Sequence, residues 1–169
     1  LMYGRCADVV IEAVAVGRNA GTTMLMINSD NPTVSTASSA FVSAASDSPG
    51  WEAQRWTRMV PVSVTTLDAL IGRYGAPAFI KIDVEGFEQE ALLGLSHAVC
   101  ALSFEFTIMQ RNIALACIDR CTALGYTRFN VALGESQTFV HPDWIDGVHI
   151  VRWLNGLPDA ANSGDIYAS

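Results

Sequence analysis

The sequence predicts an α/β fold, an open sheet with helices on both faces, and three observations carry that expectation. Runs rich in β-branched residues alternate with capped amphipathic runs along most of the chain, the order that builds a helix-layered sheet. Residues 78–84 (AFIKIDV) are apolar on both faces, as strands buried beneath helices are. Half of the 169 residues are hydrophobic and only 16% are charged, against roughly 25% in an average domain. A chain of that length and composition can bury a core as one domain and is not disordered.

The elements follow in order. Residues 9–16 (VVIEAVAV) read as a strand, a glycine-bearing loop follows at 17–21, and residues 22–27 (TTMLMI) read as a second strand. A loop between two strands suggests a β-hairpin rather than a phosphate cradle, which needs a helix N-terminus behind it. Residues 28–50 are rich in Ser, Thr, Ala and Asn with few bulky side chains, and read as a long surface loop of the kind that often binds ligands. A short amphipathic helix is expected at 51–58 and an edge strand at 59–64, where Pro61 removes a backbone donor. Thr65 and Thr66 then offer a hydroxyl cap to a helix that Gly75 and Pro77 stop. Beyond the strand at 78–84 the pattern gives a helix at 87–95, a strand at 101–107, a helix at 109–124 halted by Gly125, and a strand at 127–133. A short strand at 138–140, a helix at 144–157 and a final strand at 165–168 complete the reading.

Charge and cysteine usage exclude several functions. The formal net charge of −7 opposes binding to phosphate backbones, so nucleic acid is not an expected partner. No apolar run approaches the ~20 residues of a membrane span, and the start of the chain lacks the basic-then-apolar pattern of a signal peptide. Cys6, Cys100, Cys117 and Cys121 include no CxxC pair. Cys117 and Cys121 share a helical stripe with Ile113 and Leu124, so they read as buried reduced thiols in a cytoplasmic protein. No metal ligand set is expected from the cysteines and histidines. His97, His141 and His149 read as surface or helix-end residues, and Trp144 and Trp153 as helix-face packing.

Acidic residues mark the expected site. Open α/β sheets bind ligands beyond the carboxyl ends of their strands. Asp83 and Glu85 end one strand and Glu105 ends the next, with Lys81, Asp83 and Glu85 on one face by strand alternation. Three carboxylates brought together repel one another unless something cationic or hydrogen-bonding answers them. A structural account stays open beside this one, with Glu85 complementing the next helix N-terminus and Lys81 pairing with Glu105. Spacing alone does not specify a reaction.

The residues Thr66-Leu67-Asp68, then Phe79 through Gly86 (FIKIDVEG), Glu88, Leu92, Leu93 and Gly94, and finally Ser103 through Phe106 (SFEF) occur in that order. Together they resemble the FkbM-type family of S-adenosylmethionine-dependent methyltransferases over about residues 60 to 110. Residues 14–17 (VAVG) are similar to that family's third-strand end, and the stretch around Ser35, Ser38 and Ser39 to its serine-containing loop. The resemblance implies a Rossmann-like class I methyltransferase fold, a three-layer sandwich around a mostly parallel sheet. It implies S-adenosylmethionine as cofactor and methyl transfer to a hydroxyl of a small molecule or sugar. It also implies roles: Asp83, Glu85 and Glu105 as catalytic residues, Glu12, Ala13 and Asp83 on the cofactor side, and Lys81, Ser38 and Ser39 on the substrate side.

One departure stands against that pattern. Class I methyltransferases hold the cofactor on an acid-x-Gly-x-Gly loop after the first strand, and the 169 residues contain none. The expectation is a single methyltransferase-like domain, N-terminally incomplete and lacking the first two βα units. Two further function classes remain open on sequence alone. One is a non-catalytic binding module that has lost the cofactor half. The other is a hydrolase using Asp83, Glu85 and Glu105 directly or through a metal.

Overall fold

The computed structural model describes residues 9–169, and Cys6 lies outside them. In chain order the elements are β1 (Ala15–Val16), β2 (Gly21–Ile27), α1 (Ser39–Ser46), β3 (Arg58–Thr65), α2 (Leu67–Tyr74) and β4 (Ile80–Ile82). They continue with α3 (Glu88–Leu93), β5 (Leu102–Thr107), α4 (Arg111–Leu124), β6 (Phe129–Leu133), α5 (Gly147–Gly156) and β7 (Ser163–Ala168).

These strands form two sheets, one of order β1-β3-β2 and one of order β4-β5-β7-β6. The mostly parallel sheet expected from the sequence is therefore corrected to two mixed sheets. Among the described residues only β1–β3 and β4–β5 pair in parallel, while β2 runs antiparallel to β3 and β7 runs antiparallel to both β5 and β6. The cause lies at the C-terminal end, where the chain returns after α5 and inserts β7 between two strands that run the other way. The expected hairpin is likewise replaced. β1 and β2 lie on opposite sides of β3, and the Gly17 amide extends β1 by donating to the Thr65 carbonyl at 2.9 Å.

The four-stranded sheet has two unlike faces, as strand alternation dictates. Leu102, Phe104, Ile166, Ala168, Phe129 and Val131 are fully buried, in one cluster with Leu92 of α3, Ile118 of α4 and Leu154 of α5. Cys117 and Cys121 sit in the same core as expected, and burial pushes both thiols up, Cys121 to about 12. The opposite face carries Lys81, Ser103, Glu105, Asp165 and Tyr167 in adjacent register. A cavity lies over that face, lined by Lys81, Glu105, Asp165 and Tyr167 among others.

Local chemistry explains where α2 stands. The Thr66 side chain accepts the Ala69 amide, Leu67 enters the core, and the Asp68 carboxylate accepts the Ser96 amide at 2.9 Å while its own amide donates to Gly94 at 3.0 Å. The Thr-Leu-Asp triplet thus caps a helix and ties it to the end of α3. Gly94 lacks a side chain because a Cβ there would lie 2.3 Å from the Gly17 carbonyl oxygen.

Five other expectations change. The strand expected at a sheet edge, β3, is the central one between β1 and β2, and the short strand expected at 138–140 is reduced to a single bridge between Ala132 and Phe139. The strand at 9–16 is confined to residues 15–16, and Val10 and Ile11 are exposed. The supposed loop at 28–50 holds a 3-10 turn (Pro32–Val34) and α1, whose N-cap is Ser38. No helix forms at 51–58. There Trp51 and Trp56 meet Phe41 edge to face at 5.5 and 6.2 Å, and the Trp56 indole donates to the Val34 carbonyl.

Candidate active site

The turn between β4 and α3 is the most constrained stretch of backbone near the sheet ends. Glu85 has φ of 52° and Gly86 φ of 83°, the left-handed region, which a non-glycine residue occupies at a cost of about 1–3 kcal/mol. Neighbours hold it there. The buried Glu88 carboxylate accepts the amides of Val84 at 3.2 Å and Gly86 at 3.1 Å, and the Thr36 hydroxyl donates to the Glu85 carbonyl at 2.6 Å. A Cβ on Gly86 would lie 2.2 Å from Gln110 Oε1 and 2.7 Å from Phe41, so only glycine lets the turn pack against α1 and the segment after β5.

This turn brings the three predicted acids together. Asp83, Glu85 and Glu105 each place a carboxylate oxygen within 4.8 Å of the other two, a spacing at which a single cation can be held. Asp83 is exposed, while Glu85 and Glu105 are partly buried. Burial first, then the charges of Asp83 and Glu88, push Glu85 up to about 7. Burial again, followed by Glu85, Asp83, Glu88 and Asp165, pushes Glu105 up to about 9. At neutral pH the cluster therefore relieves its repulsion by keeping protons.

Lys81 does not pair with Glu105. Its ammonium reaches Asp165 at 2.7 Å and Asp83 at 3.3 Å. Burial disfavours its charge, but Asp165 and then Asp83 outweigh that and hold it above the ordinary lysine range.

The predicted cofactor-side residues come together as well. Glu12, Ala13 and Asp83 line one cavity of about 490 Å³, whose remaining wall is largely apolar, with Val16, Leu25, Val62 and Phe87 among it. Glu12 is held from behind by the Tyr74 hydroxyl and by Arg73 at 2.5 Å, which together lower its pKa. The predicted substrate-side serines are placed differently. Ser38 is buried and its hydroxyl caps α1 by accepting the Phe41 amide at 3.1 Å, and Ser39 is exposed on the first turn. Neither lines this cavity.

Glu88 and Thr36 are the positioning residues that sequence reasoning left out of the site. Glu88 had a signal, since an acid two residues after a glycine at a helix start can accept that turn's free amides. Thr36 had none, because its contact spans 49 positions of sequence. His141 differs from the expected exposed position: its ring packs on Trp153 at 5.6 Å.

A family model described as the methyltransferase FkbM domain matches residues 3–155. The chain belongs to that family. No curated protein and no solved structure matches it. Membership makes the chain a methyltransferase-family protein, and its α/β fold is consistent with that. No helix among the described residues is long and apolar enough to cross a membrane.

Proposed function

We propose that this FkbM-family protein takes part in S-adenosylmethionine-dependent methylation of a hydroxyl oxygen on a small molecule. The observation that carries the reading is the convergence of Asp83, Glu85 and Glu105 within 4.8 Å, beside a cavity that Asp83 shares with Glu12 and Ala13. That cavity suits the cofactor: its apolar wall fits a heterocyclic base, and the Glu12 carboxylate, already anchored by Arg73 and Tyr74, offers an acceptor for ribose hydroxyls. When bound, S-adenosylmethionine supplies an electrophilic methyl group. Glu12, Ala13 and Asp83 are the residues that would hold it.

The chain's own residues divide the remaining work by their protonation. Glu85, pushed up to about 7, is matched to take the proton of an acceptor hydroxyl near neutral pH, since a base works best with a pKa close to the working pH. Glu105, pushed up to about 9, keeps its proton and can donate a hydrogen bond that orients the same oxygen. The strained turn holds Glu85 in one place, so part of the rate comes from positioning.

Calorimetric titration of S-adenosylmethionine into the full-length protein tests the reading, with Glu12→Ala and Asp83→Ala alongside. Binding that both substitutions weaken is expected, and no binding by the unsubstituted protein overturns the proposal. A hydrolase reading of the same acids would show instead as a rise in thermal midpoint on adding magnesium or manganese alone.

A further inference from the structure

A cavity of about 880 Å³ lies at the carboxyl end of β5, and none of the three clustered acids lines it. Ile108 and Met109, which follow β5, line it together with Asn162, directly before β7, and with Trp51 and Gln54 from the segment after α1. Carboxyl ends of strands are where open sheets take ligands, and the volume falls within the roughly 300–1,000 Å³ of small-molecule sites. Among the described residues no lysine or arginine lines it. Its one carboxylate, Asp159, is 99% exposed and stands 3.6 Å from Arg111. The cavity therefore suits an uncharged ligand.

Two amide side chains of this lining carry hydrogen-bonding groups that no described residue uses. Asn162 has φ of 60° and ψ of −79°, close to the strained γ-turn values that non-glycine residues rarely adopt. Its backbone is held there, its amide donating to the Asp159 carbonyl at 3.2 Å and its carbonyl accepting the Ile108 amide at 2.7 Å. Its side chain makes no hydrogen bond among the described residues. Strain kept at a residue whose side chain does nothing for the fold points to a ligand. Gln54 is oriented by its neighbours. The amides of Asp30 and Asn31 donate to Asn28 Oδ1, so Nδ2 of the buried Asn28 is the atom that donates to Gln54 Oε1, at 2.7 Å. The Gln54 Nε2 group is thereby left as a donor without an acceptor among the described residues.

Free amide donors and acceptors together answer hydroxyl groups, each of which donates and accepts at once. The rest of the lining is largely apolar, with Trp51 beside Val34, Ile108 and Met109. An indole face is electron-rich and attracts the polarised C–H groups of a ring that carries several oxygens. We infer that this cavity binds an uncharged sugar ring, its C–H face on Trp51 and its hydroxyls on the Gln54 and Asn162 amides. Binding of the sugar stands independently of methyl transfer. Only its assignment as the part of the acceptor that is recognised, rather than methylated, rests on the reading above.

The test is an NMR titration of the 169-residue chain with the methyl glycosides of glucose, galactose and mannose, with cyclohexanol as a ring of similar size bearing one hydroxyl. At least one glycoside should shift the Trp51 indole N–H and the amides of Ile108 and Asn162 saturably, and bind about tenfold more tightly than cyclohexanol. Asn162→Gly makes the test decisive, because glycine accepts a positive φ without strain. The variant should melt no lower than the unsubstituted protein, yet bind the glycoside about fivefold more weakly for want of one hydrogen bond. No shift with any of the three glycosides, shifts confined to another surface, or equal binding of cyclohexanol would overturn the inference. So would undiminished binding by Asn162→Gly, or a fall in its thermal midpoint, which would mean that Asn162 serves the fold. Tighter binding of glucose 6-phosphate than of the methyl glycosides would overturn the uncharged class. No S-adenosylmethionine is present, so failure here leaves methyl transfer standing, and failure to bind the cofactor leaves the sugar site standing.

Discussion

Glu85 and Glu105 carry the same side chain, yet their surroundings push one up to about 7 and the other up to about 9. Both are pushed up from 4.5, so between about pH 4.5 and the folded value the native state holds a proton that the unfolded chain has released. Stability from this source is full below the unfolded value and is lost as pH rises through about 7 for Glu85 and about 9 for Glu105. Thermal melts should therefore show the midpoint falling toward alkaline pH, and Glu105→Gln should flatten that fall. At high pH the variant should gain on the order of 2 kcal/mol, roughly 5 °C. A steeper decline in the variant would refute the assignment. Activity should move the opposite way. Under the methyl-transfer reading the rate rises with pH as Glu85 ionises near 7, and Glu85→Gln should cost about 100-fold or more in kcat while removing that rise. A pH–rate profile of the two proteins decides it.

At the scale of the element, the β4–α3 turn shows how a short motif is specified by contacts on three sides. Gly86→Ala would force a Cβ into Gln110 and Phe41 at a positive φ, with an expected loss of about 3 kcal/mol in denaturant unfolding. Gly72→Ala, on α2 with nothing within 4 Å, should gain about 0.5–1 kcal/mol by the ordinary helix preference. Opposite signs for two Gly→Ala changes separate the packed glycine from the merely tolerated one. The same contrast explains what could be read from sequence. α2 was legible because its cap, stripe and stop are local, and the three acids were legible because strand ends are where open sheets place chemistry. α1 was hidden because its apolar face reduces to Phe41 and Ala45 in a serine- and alanine-rich run. The expected helix at 51–58 fails because Trp51 and Trp56 gain more by clamping Phe41 than by extending a helical stripe. Lys81 was given the wrong partner because its contact, Asp165, arrives only with β7, 84 positions away.

At the scale of the whole molecule, burial is unevenly shared between the two sheets. The fully buried apolar side chains of β5, β6 and β7 and of α3 to α5 form one cluster, whereas no residue of β2 or β3 is buried and Met24 and Met59 stand exposed. Backbone hydrogen bonds in β2–β3 therefore have little apolar cover, which places them at the low end of the opening free energies within a protein. Native-state hydrogen exchange should show β2 and β3 amides exchanging through partial openings, while Phe104, Val131 and Ile166 exchange only with global unfolding. The consequence reaches the site, because Leu25 and Val62 of the smaller sheet and Asp83 beyond β4 line the same cavity. A ligand seated there holds the small sheet against the large one, so S-adenosylmethionine should slow exchange in β2 and β3 far more than in β5 and β7. Uniform protection of both sheets without ligand, or slowing confined to the large sheet with it, would show that the smaller sheet is not the adjustable wall of the cavity.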